Sequence, residues 1–246
     1  MRCISPFCLE KDISMKQLWS GGPMYTDDPA FKITTDSVLL AHFAGRNIFS
    51  RCMDLGCGGG LLTVLLHESC PEAKFHAADI RPEAVEVCRQ NYEANRIRGS
   101  LQCADVRLHL QLGGGGEFDL VVCNPPYYYN GPSSPDPDRS AARGGQLSPA
   151  QFSGAAAYLL KKGGEFCLVH KPEFLTDIFA AMRLADIEPK RMQFVCHKAE
   201  SAPSLVLIGG RRGGRPGLAV SPSLILCAED GTPTEEVRKI YHMRSK

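Results

Sequence analysis

The chain has 246 residues and a net charge of +1, long enough to bury a large core as one α/β domain. Its 43% hydrophobic and 22% charged residues are ordinary globular proportions, and so balanced a charge excludes a global field aimed at nucleic acid. The chain shows neither an 18-residue apolar run nor a basic-then-apolar leader, so no membrane association is predicted and a cytoplasmic protein is expected. Eleven cysteines, an odd number scattered through apparent strands and helices, predict buried free thiols in a reducing compartment rather than a disulfide framework. The lack of a Cys-x-x-Cys pair predicts no zinc site.

In chain order, a short β-hairpin is predicted around Leu18 to Phe31. A helix follows over Thr35 to Ala44, with Thr35 or Asp36 near its cap. Arg51 to Leu55 reads as a strand, Gly56-Cys57-Gly58-Gly59-Gly60 as a turn, and Leu61 to His67 as a helix. Strand, glycine-rich turn and helix is the context in which backbone passes close to a nucleotide-type cofactor and free N–H groups face it. The glycines fall at 56, 58, 59 and 60, which departs from the dinucleotide spacing. Asp54, just before them, repels a pyrophosphate and attracts an ammonium, which favours S-adenosylmethionine over NAD.

A second strand, Lys74 to Asp79, ends in an acid about 20 residues past the loop, where a ribose-binding carboxylate belongs. Pro82 opens a helix running to Asn95. A third strand, Ser100 to Cys103, ends at Ala104-Asp105, where an acid can accept from an adenine amine. Each aspartate alone would usually be a helix cap. Three at the ends of three successive strands, where open α/β sheets bind ligands, point to one site.

Gly113 to Gly116 is a flexible loop before the buried strand Phe118 to Cys123. The next residues, Asn124-Pro125-Pro126-Tyr127, carry the most chemistry. The Asn124 side-chain oxygen and the Pro125 carbonyl are both acceptors. Two prolines hold φ still, and Tyr127 can stack flat on a ring. Such a turn can grip a planar NH2 group through its hydrogens and leave the nitrogen lone pair free to attack an electrophilic methyl carbon. The alternative is a plain turn after a strand.

Asn130 to Gln146, rich in Pro, Ser, Gly and Asp, leaves directly from this turn and reads as a substrate lid, against the alternative of a merely long loop. A helix from Ser148-Pro149 to Lys161, a strand from Gly164 to His170 and a helix from Lys171 to Asp186 follow. Pro189 to His197 and Ser204 to Gly210 are predicted to pair as an antiparallel hairpin on the sheet edge. The stretch Gly209 to Pro216 reads as a basic, flexible loop. Its Arg211, Arg212 and Arg215 are candidate phosphate contacts, against the alternative of a solvated hairpin tip.

Taken together, Asp54 to Gly60, Asp79, Asp105 and Asn124 to Tyr127 resemble the ordered motifs of class I S-adenosylmethionine-dependent methyltransferases, in the branch that methylates exocyclic or amide nitrogen. The resemblance implies a Rossmann-like α/β fold with a seven-stranded, mostly parallel sheet, a C-terminal antiparallel hairpin strand and helices on both faces. It implies one domain, with residues 1–45 as an extension and cofactor-covering helix and 46–246 as the core with a basic C-terminal hairpin and tail. Asp54, Gly56, Cys57, Gly58 and Gly60 are expected to hold the methionine part of the cofactor. Asp79 with Ile80 is expected at the ribose, Asp105 with Val106 at the adenine, and Asn124 beside the cofactor. Asn124, Pro125, Pro126 and Tyr127 are the expected catalytic residues, and Lys32, Asp36 and Tyr128 further substrate candidates.

The tail is similar to one subgroup. His197 to Ser204, Gly209 to Leu218, Pro222 to Leu226 and Asp230 to Val237 resemble bacterial tRNA(Val) adenine-N6 methyltransferases, which act on the adenosine 3′ of the anticodon. Ser223 and Pro233 depart from that pattern. The resemblance implies RNA, a tRNA, as partner; the sequence leaves the oligomeric state open, with a monomer favoured. Protein glutamine, DNA adenine or rRNA guanine would meet the same core chemistry. A non-catalytic RNA-binding protein and an NAD oxidoreductase are the rival classes.

Overall fold

The computed structural model describes residues 15–27, 33–127 and 147–243. Lys32, Tyr128 and the expected lid from Asn130 to Gln146 lie outside them. So do Phe31, Cys3 and Cys8.

The described chain forms a two-stranded hairpin and an eight-stranded sheet with helices packed on both faces. The hairpin is β1 (Lys16–Gln17) and β2 (Met24–Tyr25), earlier than the expected span from Leu18 to Phe31. Its anchors are on α3 (Pro82–Ala94) and its C-cap residue Asn95. Asn91 Oδ1 accepts from the Thr26 N–H at 2.7 Å, and Asn95 Oδ1 accepts from the Met24 N–H at 2.9 Å. These capped backbone groups, not propensity, set where so short a hairpin forms.

The parallel strands β3 (Arg51–Leu55), β4 (Lys74–Asp79), β5 (Gly99–Cys103), β6 (Phe118–Cys123) and β7 (Leu160–His170) match the expected βα units. Successive residues point to opposite faces, as a strand requires. Cys52 and Val122 enter the core beneath α1 (Thr35–Ala44) and α2 (Leu61–Ser69). Met53, Val121 and Cys123 enter the core beneath α4 (Pro149–Leu159) and α5 (Leu175–Leu184). A full capping box at Ser148 and Gln151 starts α4. That helix stops at Leu159 rather than Lys161. Leu160 already pairs with Phe118, and an irregular stretch then restores register at Glu165.

The sheet order is β10-β8-β9-β7-β6-β3-β4-β5, with β8 spanning Ile187–Cys196, β9 Pro203–Arg212 and β10 Ala219–Ile225. Strand β9 lies between β7 and β8 and runs antiparallel to both, as expected of the hairpin. The count of seven is corrected to eight, and the hairpin does not form the edge. Strand β10 pairs parallel to β8 and takes that place. Pro222 hides this strand in the sequence. Proline is tolerated at an edge or irregularity, and the register shifts between Ser221 and Leu224.

All nine cysteines in the described residues are free, and eight are buried. No helix among these residues is long and apolar enough to cross a membrane.

Candidate active site

At the C-terminal ends of β3, β4 and β6 lies a cleft of ≈ 310 Å³, the size of a small-ligand pocket. It brings together Gly56, Cys57, Gly58, Asp79, Ile80, Asp105, Val106 and all of Asn124 to Tyr127, with Asp36 reaching in from α1. Tyr25, Thr34, Ser37, Gly59, Leu61, Leu62, Arg81 and Leu147 complete the lining.

The glycine turn is shaped by two conformational demands. Gly56 has φ +73° and a side chain there would meet no protein atom within 4 Å. It therefore opens onto the ligand space itself. Gly60, the N-cap of α2, has φ +80°, and a Cβ there would lie 2.5 Å from Cys88 Sγ. We expect Gly60→Ala to lose about 2 kcal/mol to left-handed strain and this contact. Thermal unfolding should then fall by about 4 to 8 °C; an unaltered melting temperature would remove the contact from the account.

Asp54 lies beneath the turn, fully buried. Its Oδ2 accepts from Thr63 Oγ1 at 3.3 Å, and Thr63 Oγ1 in turn accepts from Tyr92 Oη at 3.2 Å. Its Oδ1 has no partner. Burial pushes the carboxyl up to about 7, with the Thr63 bond opposing and the nearby Asp79 charge adding to the rise. A buried carboxylate oxygen with no donor is costly unless a ligand supplies one. That orphaned acceptor calls for a donor such as the ammonium of S-adenosylmethionine, but neither Asp54 nor Gly60 lines the cleft itself.

Asp79 is no helix cap, because Arg81 occupies that position on α3. Its Oδ2 accepts from the Gly58 N–H at 2.9 Å and its Oδ1 from the Arg81 N–H at 2.9 Å. The acid therefore ties β4 to the glycine turn and retains lone pairs for a diol. Asp105 does cap the short 3-10 turn Val106–Leu112, and it is ion-paired with Arg107 at 2.6 Å. Hydrogen bonding to that arginine is the main cause holding its carboxyl below the ordinary range. It lines the cleft as well, so the cap and site readings are both met in one residue.

The acceptor turn is clamped from α1. Tyr127 Oη donates to Asp36 Oδ2, and Asn124 Nδ2 donates to Ser37 Oγ at 3.0 Å. Thr34, with no side-chain bond of its own, takes the N-cap, which leaves Asp36 in the first turn free for this role. Burial first, then the Asp36 carboxylate, raises the Tyr127 phenol above its usual value, so it stays protonated. The edge of His170 packs on Tyr127, ring centroids 5.3 Å apart.

Arg211, Arg212 and Arg215 are not brought to the cleft. Cys123, the residue before the acceptor turn, pairs with Leu168, and His170 pairs with Val206. From there β9 runs away, so that Arg211 lies opposite Glu165 and Arg212 bonds the Leu160 carbonyl at the far end of β7. Five residues at about 3.3 Å each carry the basic segment some 16 Å from the rim. Nor is all of it a loop, since Gly209 to Arg212 belong to β9. Gly209 gives room for Arg191 to cross the strand to Glu165, at 2.7 Å.

Asn91 is a positioning residue that pattern reading missed. Fully buried on α3, it donates from Nδ2 to the Gly59 carbonyl at 2.8 Å while holding Thr26. A lone Asn inside a helix gives no local signal of that task.

A family model described as methyltransferase small domain matches residues 32–178. The chain is 31% identical over 201 residues to a tRNA1(Val) (adenine(37)-N6)-methyltransferase of Cronobacter sakazakii, covering 80% of this chain and 78% of the relative. A protein of the same name from Phocaeicola vulgatus is 27% identical, with 89% and 88% covered. Among solved structures, one described as a predicted O-methyltransferase from Agrobacterium tumefaciens aligns with a TM-score of 0.70 at 20% identity, covering 86% of this chain and 97% of that one. A T. thermophilus 16S rRNA N2 G1207 methyltransferase in complex with AdoMet and guanosine aligns with a TM-score of 0.53 at 20% identity, covering 81% and 50%.

Proposed function

This chain belongs to the methyltransferase small domain family, and we propose that it methylates the exocyclic N6 amine of an adenine in RNA, the adenosine 3′ of a tRNA anticodon. S-Adenosylmethionine is its cofactor, and when bound supplies a methyl group made electrophilic by the adjacent sulfonium. Asp54 and the turn from Gly56 to Gly60 hold its amino-acid end, Asp79 its ribose and Asp105 its adenine.

The observation that carries this reading is the acceptor turn, placed in the same cleft as the glycine turn. Asn124 Oδ1 and the Pro125 carbonyl accept the two amine hydrogens. Tyr127, fixed by Asp36, offers the face on which the base stacks. These residues do little chemistry beyond alignment, which is enough to lower such a barrier by many-fold. An anticodon-loop base costs less to splay out than a base in a duplex. The names of the Cronobacter and Phocaeicola relatives favour the same substrate.

Mass mapping of methylated nucleosides in tRNA from a strain lacking the gene tests the reading. We expect loss of N6-methyladenosine from one tRNA, and its restoration by the purified enzyme. Labelled methyl transfer to a glutamine-bearing protein, with none to RNA, would refute it.

A further inference from the structure

The end of β7 adds a charged residue to the acceptor site. Strands β6 and β7 are parallel neighbours, with Cys123 opposite Leu168, so the residues after His170 emerge beside the Asn124 to Tyr127 turn. Lys171 Nζ lies 5.2 Å from the centroid of the Tyr127 ring. Its hydrogen bond to the Ser204 carbonyl is long at 3.4 Å, and an ammonium has three donors. Among the described residues no carboxylate pairs with it. Arg81, which lines the cleft, instead faces Asp79.

His170 contributes no positive charge. Its ring is fully buried among Tyr127, Phe152 and Phe174, and that burial, outweighing a backbone hydrogen bond with Lys171, lowers its pKa to about 4. Lys171 therefore brings a positive charge to this wall, against the Tyr127 ring.

We propose that Lys171 binds a backbone phosphate of the nucleotide whose base lies against Tyr127, and so determines that the acceptor is a nucleotide rather than an amide side chain. The inference rests on the RNA reading above and names the contact that selects within it. A glutamine side chain would meet Asn124 and Pro125 equally well and bring no anion to Lys171. A nucleotide joins its planar amine to a phosphate by a short ribose linkage. Phosphate contacts of this kind position a substrate and make its binding depend on salt.

The test separates charge from packing. Lys171→Met keeps the aliphatic stem over Tyr127 and removes the charge; Lys171→Arg keeps the charge. Methyl transfer to bulk tRNA is measured between about 50 and 200 mM salt for the full-length enzyme and both variants. For Lys171→Met we expect kcat/KM to fall about tenfold, chiefly through KM, and the slope of its logarithm against log salt to shrink by about one. Lys171→Arg should recover most of both, and affinity for S-adenosylhomocysteine should be unchanged in each. An unaltered salt slope in Lys171→Met, or equal losses in both variants, overturns the assignment while RNA methylation stands. Wild-type enzyme that methylates protein and no RNA overturns the assignment and the RNA reading together.

Discussion

Replacing Asn124 with alanine is expected to lower kcat by about three orders of magnitude while affinity for S-adenosylhomocysteine stays within a few-fold. The size follows from losing a fixed acceptor that both aligns the amine and stabilises the charge it develops, an effect on the scale of removing one preorganised oxyanion donor. The sparing of affinity follows from architecture. The other proposed cofactor contacts lie at the ends of β3 and β4 and in the turn after β5, whereas Asn124 follows β6 and is held by Ser37 on α1. Removing its side chain leaves the Gly58–Asp79 and Asn91–Gly59 bonds in place. Single-turnover methyl transfer, set beside calorimetric titration of S-adenosylhomocysteine, measures the two effects separately. Near-normal turnover in Asn124→Ala would end the case for this turn as the acceptor.

Asp54→Asn is the second large effect, and it has opposite signs in binding and in stability. Burial raises the folded carboxyl from 3.8 to about 7, above its value in the unfolded chain. The group's contribution to the stability of the ligand-free protein is thus fully present below about pH 4 and lost as pH rises through 7. The span is about 4 kcal/mol at 1.36 kcal/mol per pKa unit. Asparagine has nearly the same shape and never ionises. The ligand-free variant should therefore match the wild type below about pH 4 and melt higher than it at pH 8.

Ligand binding needs the opposite form. An ammonium donor meets the orphaned Asp54 Oδ1 best when the carboxyl is ionised. Wild-type affinity for S-adenosylhomocysteine should therefore strengthen from pH 6 to pH 8, with a break near 7. Asp54→Asn should bind about a hundredfold more weakly at pH 8 and lose the break. A variant that keeps both the affinity and the break would show that Asp54 serves the fold alone. Stability given up for a poised buried charge is the usual trade at a functional site.

The helices and strands between Arg51 and Asp105 were legible because each is short, strongly patterned and ended by its own turn chemistry. Alternation placed Cys52 and Met53 on opposite faces, and the run of glycines could serve only where backbone must turn left-handed or lie open to a ligand. The acids at 54, 79 and 105 were legible as a group because every strand of a parallel sheet delivers its last residue to one rim. Asp79 and Asp105 do line one cleft, while Asp54 lies buried outside its lining.

What the sequence by itself determined is therefore the set of local units and the chemistry at their ends, since propensity, alternation and turn residues act over a few neighbours. Only the tertiary structure decided which ends meet. Asp36 reaches Tyr127 across 91 residues, and Asn91 joins the hairpin to the Gly59 carbonyl from a helix with no local mark of that role. Strand order alone carried Arg211 and Arg212 to the far end of the sheet and left Lys171 beside the acceptor turn. Contacts of this kind depend on how elements are layered and in which direction each strand runs, and neither quantity is written in any short stretch of chain.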